Sequence, residues 1–215
     1  MNRKESWIYA FDLDDTLLNF NSSIGFYKYH FLRRRFGLRS LFACLTAYCS
    51  YRFFSGDMRR IYSCFFETCL KGMSFEKLLE LVDQWIDNLK PNFYQPSLNY
   101  LNHALSEGFP VVILSSSPDF LVSRFARLFK VSEFSASVYA CNSEGIYREP
   151  GLFLDGHGKA RELRRYMRYF NVTKSLCFSN SVSDLPFLFA GTKSIAVKAD
   201  RKFKKFSLCK GWVTI

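Results

Sequence analysis

Apolar and polar positions alternate in two regimes along this chain. Trp7-Ile8-Tyr9-Ala10 is a short apolar run that reads as a buried first strand. Over residues 19–90 the spacing changes, and apolar side chains recur every three or four positions, as amphipathic helices require. Ser22-Ser23 predicts a cap for a helix running toward Arg35. Leu38, Leu41, Phe42, Leu45, Tyr48 and Cys49 predict a second helix, broken at Ser55-Gly56. A third is expected from Asp57 toward Leu70, ending near Gly72. Ser74 predicts the N-cap of a fourth, with Met73 and Leu78 as a hydrophobic staple and Pro91 as the stop after Leu89.

The second half alternates strand with helix. A helix from Pro96 to Leu105, closed by Gly108, precedes Val111-Val112-Ile113-Leu114. That β-branched run is expected as a central parallel strand buried on both faces. A helix follows through Phe120, Leu121, Phe125 and Leu128. The stretches 135–140 and 146–147, joined through Asn142-Ser143-Glu144-Gly145, predict a hairpin. Gly156-His157-Gly158-Lys159 opens a helix to Phe170. Leu176-Cys177-Phe178 and Ser194-Ile195-Ala196-Val197 read as further strands; Asp200 caps a basic helix stopping at Gly211, and residues 212–215 form an edge strand. The expected architecture is α/β: a doubly wound parallel sheet with an all-helical insert after the first strand. Residues 1–18 and 91–215 would form the core, and residues 19–90 a helical cap.

A chain of 215 residues with 48% hydrophobic content supports one sizeable core, or a core plus a modest insert, and argues against disorder. Its net charge of +11 implies an anionic partner. No nucleic-acid-binding module stands out, so nucleic acid is not expected. Seven cysteines without a Cys-x-x-Cys pair, and an N-terminus without an apolar signal region, predict reduced thiols packed in the interior and a cytoplasmic location. Arg33-Arg34-Arg35 and Arg39 precede an uncharged run over 40–51, and Arg52, Arg59 and Arg60 follow it. Two readings stay open for that run. Its apolar face packs inside the cap, or it is an interfacial segment making peripheral contact with an anionic membrane.

The chemistry is concentrated at strand ends. Asp12 and Asp14 follow the first strand, two residues apart and on one side by alternation, and Thr16 adds a hydroxyl at the same mouth. Two carboxylates that close need a cation, a shared proton or a task. Ser115 follows the second strand, Asn180 and Asp184 follow the Leu-Cys-Phe strand, and Lys159 starts a helix between them. In an open parallel sheet these ends share one rim, and ligands bind outside it. The set suits phosphoryl transfer. Asp12 would be the nucleophile and Asp14 the general acid and base. Thr16, Ser115 and Lys159 would hold the phosphoryl oxygens, and Asp12 with Asp184 would hold Mg²⁺. Asp15 and Asp155 read as peripheral or turn residues, His157 as a loop residue, and Ser116, Ser117 and Asp119 as turn and helix-cap residues.

Asp12-Leu13-Asp14-Asp15-Thr16, Ile113 through Pro118, Gly158-Lys159 and Ser179 through Pro186 resemble, in order and spacing, the four motifs of the haloacid dehalogenase superfamily. The branch resembled is the phosphoserine phosphatase-like one, with a helical cap inserted after the first motif. The resemblance implies a Rossmann-like core, a Mg²⁺-dependent phosphatase and a phosphate-ester substrate. It also implies that the Asp14 backbone carbonyl ligates the metal. One position departs: Asn180 stands where the family's fourth motif begins with an Asp that contacts Mg²⁺. An amide oxygen still ligates, but one negative charge is lost, which keeps open a catalytically weak phosphate-binding or membrane-surface module. Phosphoserine-specific relatives also carry an acidic residue in the cap region, and residues 19–23 have none. That disfavours phosphoserine and favours a larger or more apolar ester, such as a lipid head-group phosphate.

Overall fold

The computed structural model describes residues 6–53, 58–90 and 92–215. The predicted break at Ser55-Gly56, the start at Asp57, the stop at Pro91 and residues 1–5 lie outside the described residues. In chain order the elements are β1 (Trp7–Phe11), α1 (Ser22–Leu32), α2 (Leu38–Phe53), α3 (Met58–Phe65), a π-helical turn (Phe66–Leu70) and α4 (Phe75–Asp87). Next come α5 (Gln95–Ser106), β2 (Val111–Pro118), α6 (Asp119–Leu128), β3 (Glu133–Ser137), β4 (Tyr139–Cys141) and β5 (Tyr147–Pro150). The chain ends with α7 (Gly156–Tyr169), β6 (Lys174–Ser179), a 3₁₀ turn (Val182–Asp184), α8 (Leu185–Ala190), β7 (Lys193–Ala196), α9 (Arg201–Cys209) and β8 (Val213–Thr214).

Six strands form one parallel sheet in the order β3-β2-β1-β6-β7-β8. Period-two alternation divides β1 between two apolar layers. Phe11 joins one with Ile113 and Phe178; Ile8 and Ala10 join the other with Val112, Leu114 and Cys177. Phe11 and Phe178 are register partners across β1 and β6, and their rings stack at 4.3 Å. Fully burying a side chain of this size contributes roughly 1.5–3 kcal/mol. The sheet centre, which carries the site, is thus buried on both faces.

Between β1 and α5 the described residues form helices joined by turns and loops, with isolated β-bridges at Leu18, Ser74 and Phe93. This segment leaves and rejoins the sheet through a narrow neck: Asn19 N–H donates to the Asn92 carbonyl at 3.0 Å and Tyr94 N–H to the Leu17 carbonyl at 2.8 Å. Its far side is not separate from the rest. The turn before α4 pairs with the β4–β5 hairpin through Gly72 N–H to Tyr147 O, Tyr147 N–H to Met73 O and Phe75 N–H to Gly145 O. The Tyr62 ring stacks on Tyr139 at 4.0 Å. Inside the segment, Phe26 and Trp85 meet edge-on at 5.8 Å, and both are buried.

Three expectations change. Residues 135–140 were expected within one hairpin, but residues through Ser137 belong to β3, parallel to β2. The helix α6 returns the chain to the sheet there, and only β4 and β5 form the hairpin, around Asn142 and Gly145 (φ +72°). The N-cap of α1 is Asn21, which accepts from Ile24 N–H at 3.0 Å. Ser22 is diverted to the site below. Finally, all seven cysteines are free, yet only Cys177 is buried; four lie half-buried in the helical segment and Cys141 and Cys209 are exposed. Helix seams, not the sheet core, receive most of the thiols.

Candidate active site

From β1 the chain runs outward through β2 to β3, then crosses to β6 on the other side of β1. Such a reversal leaves a crevice at the carboxyl ends of the strands. A cleft of about 520 Å³ opens there. Asp12, Asp14, Ser115, Lys159, Asn180 and Asp184 all line it.

Asp12 directly follows β1, and its N–H donates to the Phe178 carbonyl at 2.9 Å, so β6 fixes its place. Its Oδ1 accepts from Lys159 Nζ at 2.7 Å, and the same ammonium donates to Asp184 Oδ2 at 2.7 Å. All three side chains are buried. Burial pushes the Asp12 carboxyl up to about 7, with Lys159 pulling it down and Asp184 pushing it further up. Burial also opposes the charge of Lys159, but the two carboxylates outweigh it and lift the ammonium above its ordinary range. Lys159 therefore stays protonated, and its one ammonium is shared between two carboxyl groups.

Asp14 is gripped from two sides. Its Oδ1 accepts from Ser22 N–H at 2.7 Å in the first turn of α1, a position where a helix favours negative charge. Its Oδ2 accepts from the Ser117 hydroxyl and from Asn21 Nδ2 at 3.3 Å. Burial raises the Asp14 carboxyl above its usual range, against these hydrogen bonds. A positioned carboxyl so raised suits a proton carrier.

The other loops are held just as tightly. Ser115 is buried at the end of the apolar part of β2, and its Oγ accepts from Ser117 N–H at 3.1 Å. Ser179 Oγ donates to Asp184 Oδ2 at 2.7 Å. The Asp155 side chain caps α7 by accepting from Gly158 N–H at 2.8 Å, which places Lys159 in the first turn. A Cβ at Gly156 would collide with the Ser183 carbonyl oxygen, so glycine lets α7 approach the loop carrying Asp184.

Thr16 is placed differently from the other predicted residues. It is buried and does not line the cleft. Its hydroxyl proton lies within reach of Asp12 Oδ2 (3.3 Å) and Asn180 Oδ1 (3.4 Å), and its oxygen accepts from Asn180 N–H at 3.1 Å. It ties the first loop to the fourth. Asp15, expected to point away, does line the cleft, because β1 ends at Phe11 and alternation no longer applies. Its backbone is left-handed (φ +53°), and its carboxylate lies 3.7 Å from Lys198. Ser117, read as a turn residue, holds Asp14 instead. Arg59, from α3, and Phe153 complete the mouth, and Arg59 pairs with Asp155 at 3.2 Å. Sequence reasoning did not find these two as site residues; no motif marks them, because only tertiary packing brings them over the rim.

Among the described residues, no three His, Cys, Asp or Glu side chains gather to hold a metal. The donors available are the carboxylates of Asp12 and Asp184 and the amide oxygen of Asn180. This set of hard oxygens fits Mg²⁺, which is satisfied by one or two carboxylates plus water and phosphate. The crowding of Asp12, Asp14 and Asp184 along one cleft points the same way.

The profile of the haloacid dehalogenase-like hydrolases matches residues 9–188. The chain is 24% identical over 214 residues to the inhibition of morphological differentiation protein of Streptomyces azureus, covering 94% of this chain and 75% of that protein. A Bordetella pertussis protein of unknown function has a similar crystal structure, with a TM-score of 0.83 at 21% identity over 99% of both chains. A substrate-bound phosphoserine phosphatase matches with a TM-score of 0.69 at 14% identity, covering 99% of this chain and 94% of that one. With the profile running from β1 into α8 across all four loops of the rim, the chain belongs to the haloacid dehalogenase-like hydrolase family.

Proposed function

We propose that the protein is a Mg²⁺-dependent phosphomonoester hydrolase that works through an aspartyl-phosphate on Asp12. The observation carrying this reading is Lys159 bridging Asp12 and Asp184 at 2.7 Å each, with Asp14 held on the same rim. Asp12, Asp184, Asn180 and the Asp14 backbone carbonyl would hold the ion, whose chemistry is to neutralise phosphoryl charge.

An Asp12 carboxylate oxygen attacks phosphorus, and the ester P–O bond breaks. Asp14 gives its proton to the leaving oxygen, so the alcohol departs neutral. Asp14 then takes a proton from water, the new hydroxide attacks phosphorus, and the bond to Asp12 breaks to release inorganic phosphate. Lys159 and Ser115 hold the phosphoryl oxygens through both steps. Thr16 acts as a positioning residue for Asp12 and Asn180.

Residues 19–90 would act as the cap that excludes water and selects the substrate. A second cavity of about 260 Å³ adjoins the cleft and shares Arg59 and Phe153 with it; Tyr62, Pro150 and Leu152 also line it. It would receive the alcohol part of an ester with an apolar or ring-bearing group. Turnover of p-nitrophenyl phosphate tests the reading: activity should require Mg²⁺, disappear with chelator and be lost in Asp12→Asn. Activity unchanged in that variant would refute it. Asn180 favours a second reading, a weak or inactive phosphate binder; phosphate binding without turnover across a broad ester panel would select it.

A further inference from the structure

Residues 16–56 contain no Asp or Glu, but six cations: Lys28, Arg33, Arg34, Arg35, Arg39 and Arg52. Within this acid-free stretch, α2 presents Leu38, Phe42, Leu45 and Tyr48, spaced four, three and three apart and so on one face. They are 64%, 63%, 50% and 44% exposed. The other side of α2 is spent on packing: Ser40 is buried against Tyr27, and Cys44 Sγ lies 3.8 Å from Thr68 Oγ1. None of the four exposed residues lines the cleft or its neighbouring cavity. A row of large exposed apolar side chains on one helix marks an interaction surface rather than ordinary scatter.

Charge decides what covers it. Arg33, Arg34, Arg35 and Arg39 are exposed at the turn where α2 begins. Arg33 lies over the Tyr29 ring at 3.7 Å and Arg35 donates to Gln84 Oε1 at 2.7 Å, so two of these guanidiniums are held in place. An apolar stripe rimmed by cations, with no acid in the surrounding sequence, complements an anionic lipid surface, where apolar side chains enter the acyl boundary and cations meet the headgroups. Among the described residues no helix is long and apolar enough to cross a membrane, so the segment would lie on the surface.

We propose that the exposed face of α2, with the arginines of the α1–α2 turn, docks this protein on an anionic lipid bilayer. The full chain should co-sediment with vesicles of phosphatidylcholine mixed with phosphatidylglycerol, and not with phosphatidylcholine alone. Added salt should weaken the partition. The double variant Phe42→Ser/Leu45→Ser should lose at least about tenfold in partition, since burying such side chains is the main apolar gain. Arg34→Gln/Arg39→Gln should lose roughly fivefold per arginine, the worth of one cation beside an anionic surface. Both variants should keep the parent circular dichroism and the parent turnover of a soluble ester. Three results would overturn the proposal: no partition onto the mixed vesicles, partition undiminished in both variants, or a dimer lost in Phe42→Ser/Leu45→Ser with no vesicle binding. The last would assign the face to a second copy of this chain.

Discussion

The rim and the helical segment above it are built by different forces. At the rim, each acid is held by a backbone or hydroxyl donor a few residues from a strand end, and Lys159 joins two of them in a buried triad. The helical segment is held by aromatic packing around Phe26 and Trp85, and by backbone pairing to a hairpin inserted much later in the chain. The rim is held by charge and hydrogen bonds between loops far apart in the chain; the segment is held by apolar packing. Asn21, Ser22 and Arg59 of the segment reach the rim while its aromatic packing does not, and the contrast predicts that mutations in the two regions fail in different ways.

The largest effect belongs to the rim. Asp14→Asn should lower kcat by about 10²–10⁴-fold, as expected for losing a general acid, and leave the thermal melt near that of the parent. A melt that collapses with activity would make Asp14 a structural residue and erase the contrast. Phe26→Ala, in the segment, should cost about 3–5 kcal/mol of stability, visible in denaturant melts, while the surviving folded fraction keeps its turnover of a small ester.

Next comes a pH effect confined to the segment. His30 is buried, with Nε2 3.0 Å from the Leu81 carbonyl and Nδ1 without a partner. Burial, aided by Arg35 and Arg33 and opposed by the Leu81 hydrogen bond, lowers its pKa from 6.5 to about 4. Above pH 6.5 both folded and unfolded chains hold it neutral, and stability is full. Between 6.5 and 4 the unfolded chain takes a proton that the folded chain refuses, so stability falls, by about 3 kcal/mol in total. Melts across that window should slope downward with acid, and His30→Phe should flatten the slope; an unchanged slope would place the sensitivity elsewhere. The smallest effect sharpens the contrast at the mouth. Arg59→Ala should raise KM roughly tenfold for an anionic or ring-bearing ester, with kcat within about twofold, because uniform binding and not transition-state binding is lost.

The same division explains what the sequence disclosed. The rim was legible because strand, loop and helix start are contiguous, so Asp12, Ser115, Lys159 and Asp184 each announce their position by following an apolar run or opening a helix. Thr16 was half legible. Its loop was evident, but that its hydroxyl would turn inward to Asp12 and Asn180 depends on the fourth loop, 164 residues away. Ser117 and Asn21 carried the right chemistry without a pattern to separate a site hydroxyl or amide from a turn or cap residue. β3 was absorbed into a hairpin because one parallel edge strand and one hairpin arm share the same β-rich composition. Arg59 and Phe153 carried no local signal; their role exists only once α3 and the segment after β5 are brought together over the rim.

The central claim is that Asp12 takes the phosphoryl group. A single turnover with a phosphorus-labelled ester, quenched in acid and mapped by peptide, tests it most directly. The account predicts label on the peptide containing residue 12, released by hydroxylamine as an acyl phosphate must be, and absent from Asp12→Asn. Release of labelled phosphate at the parent rate by Asp12→Asn would contradict it.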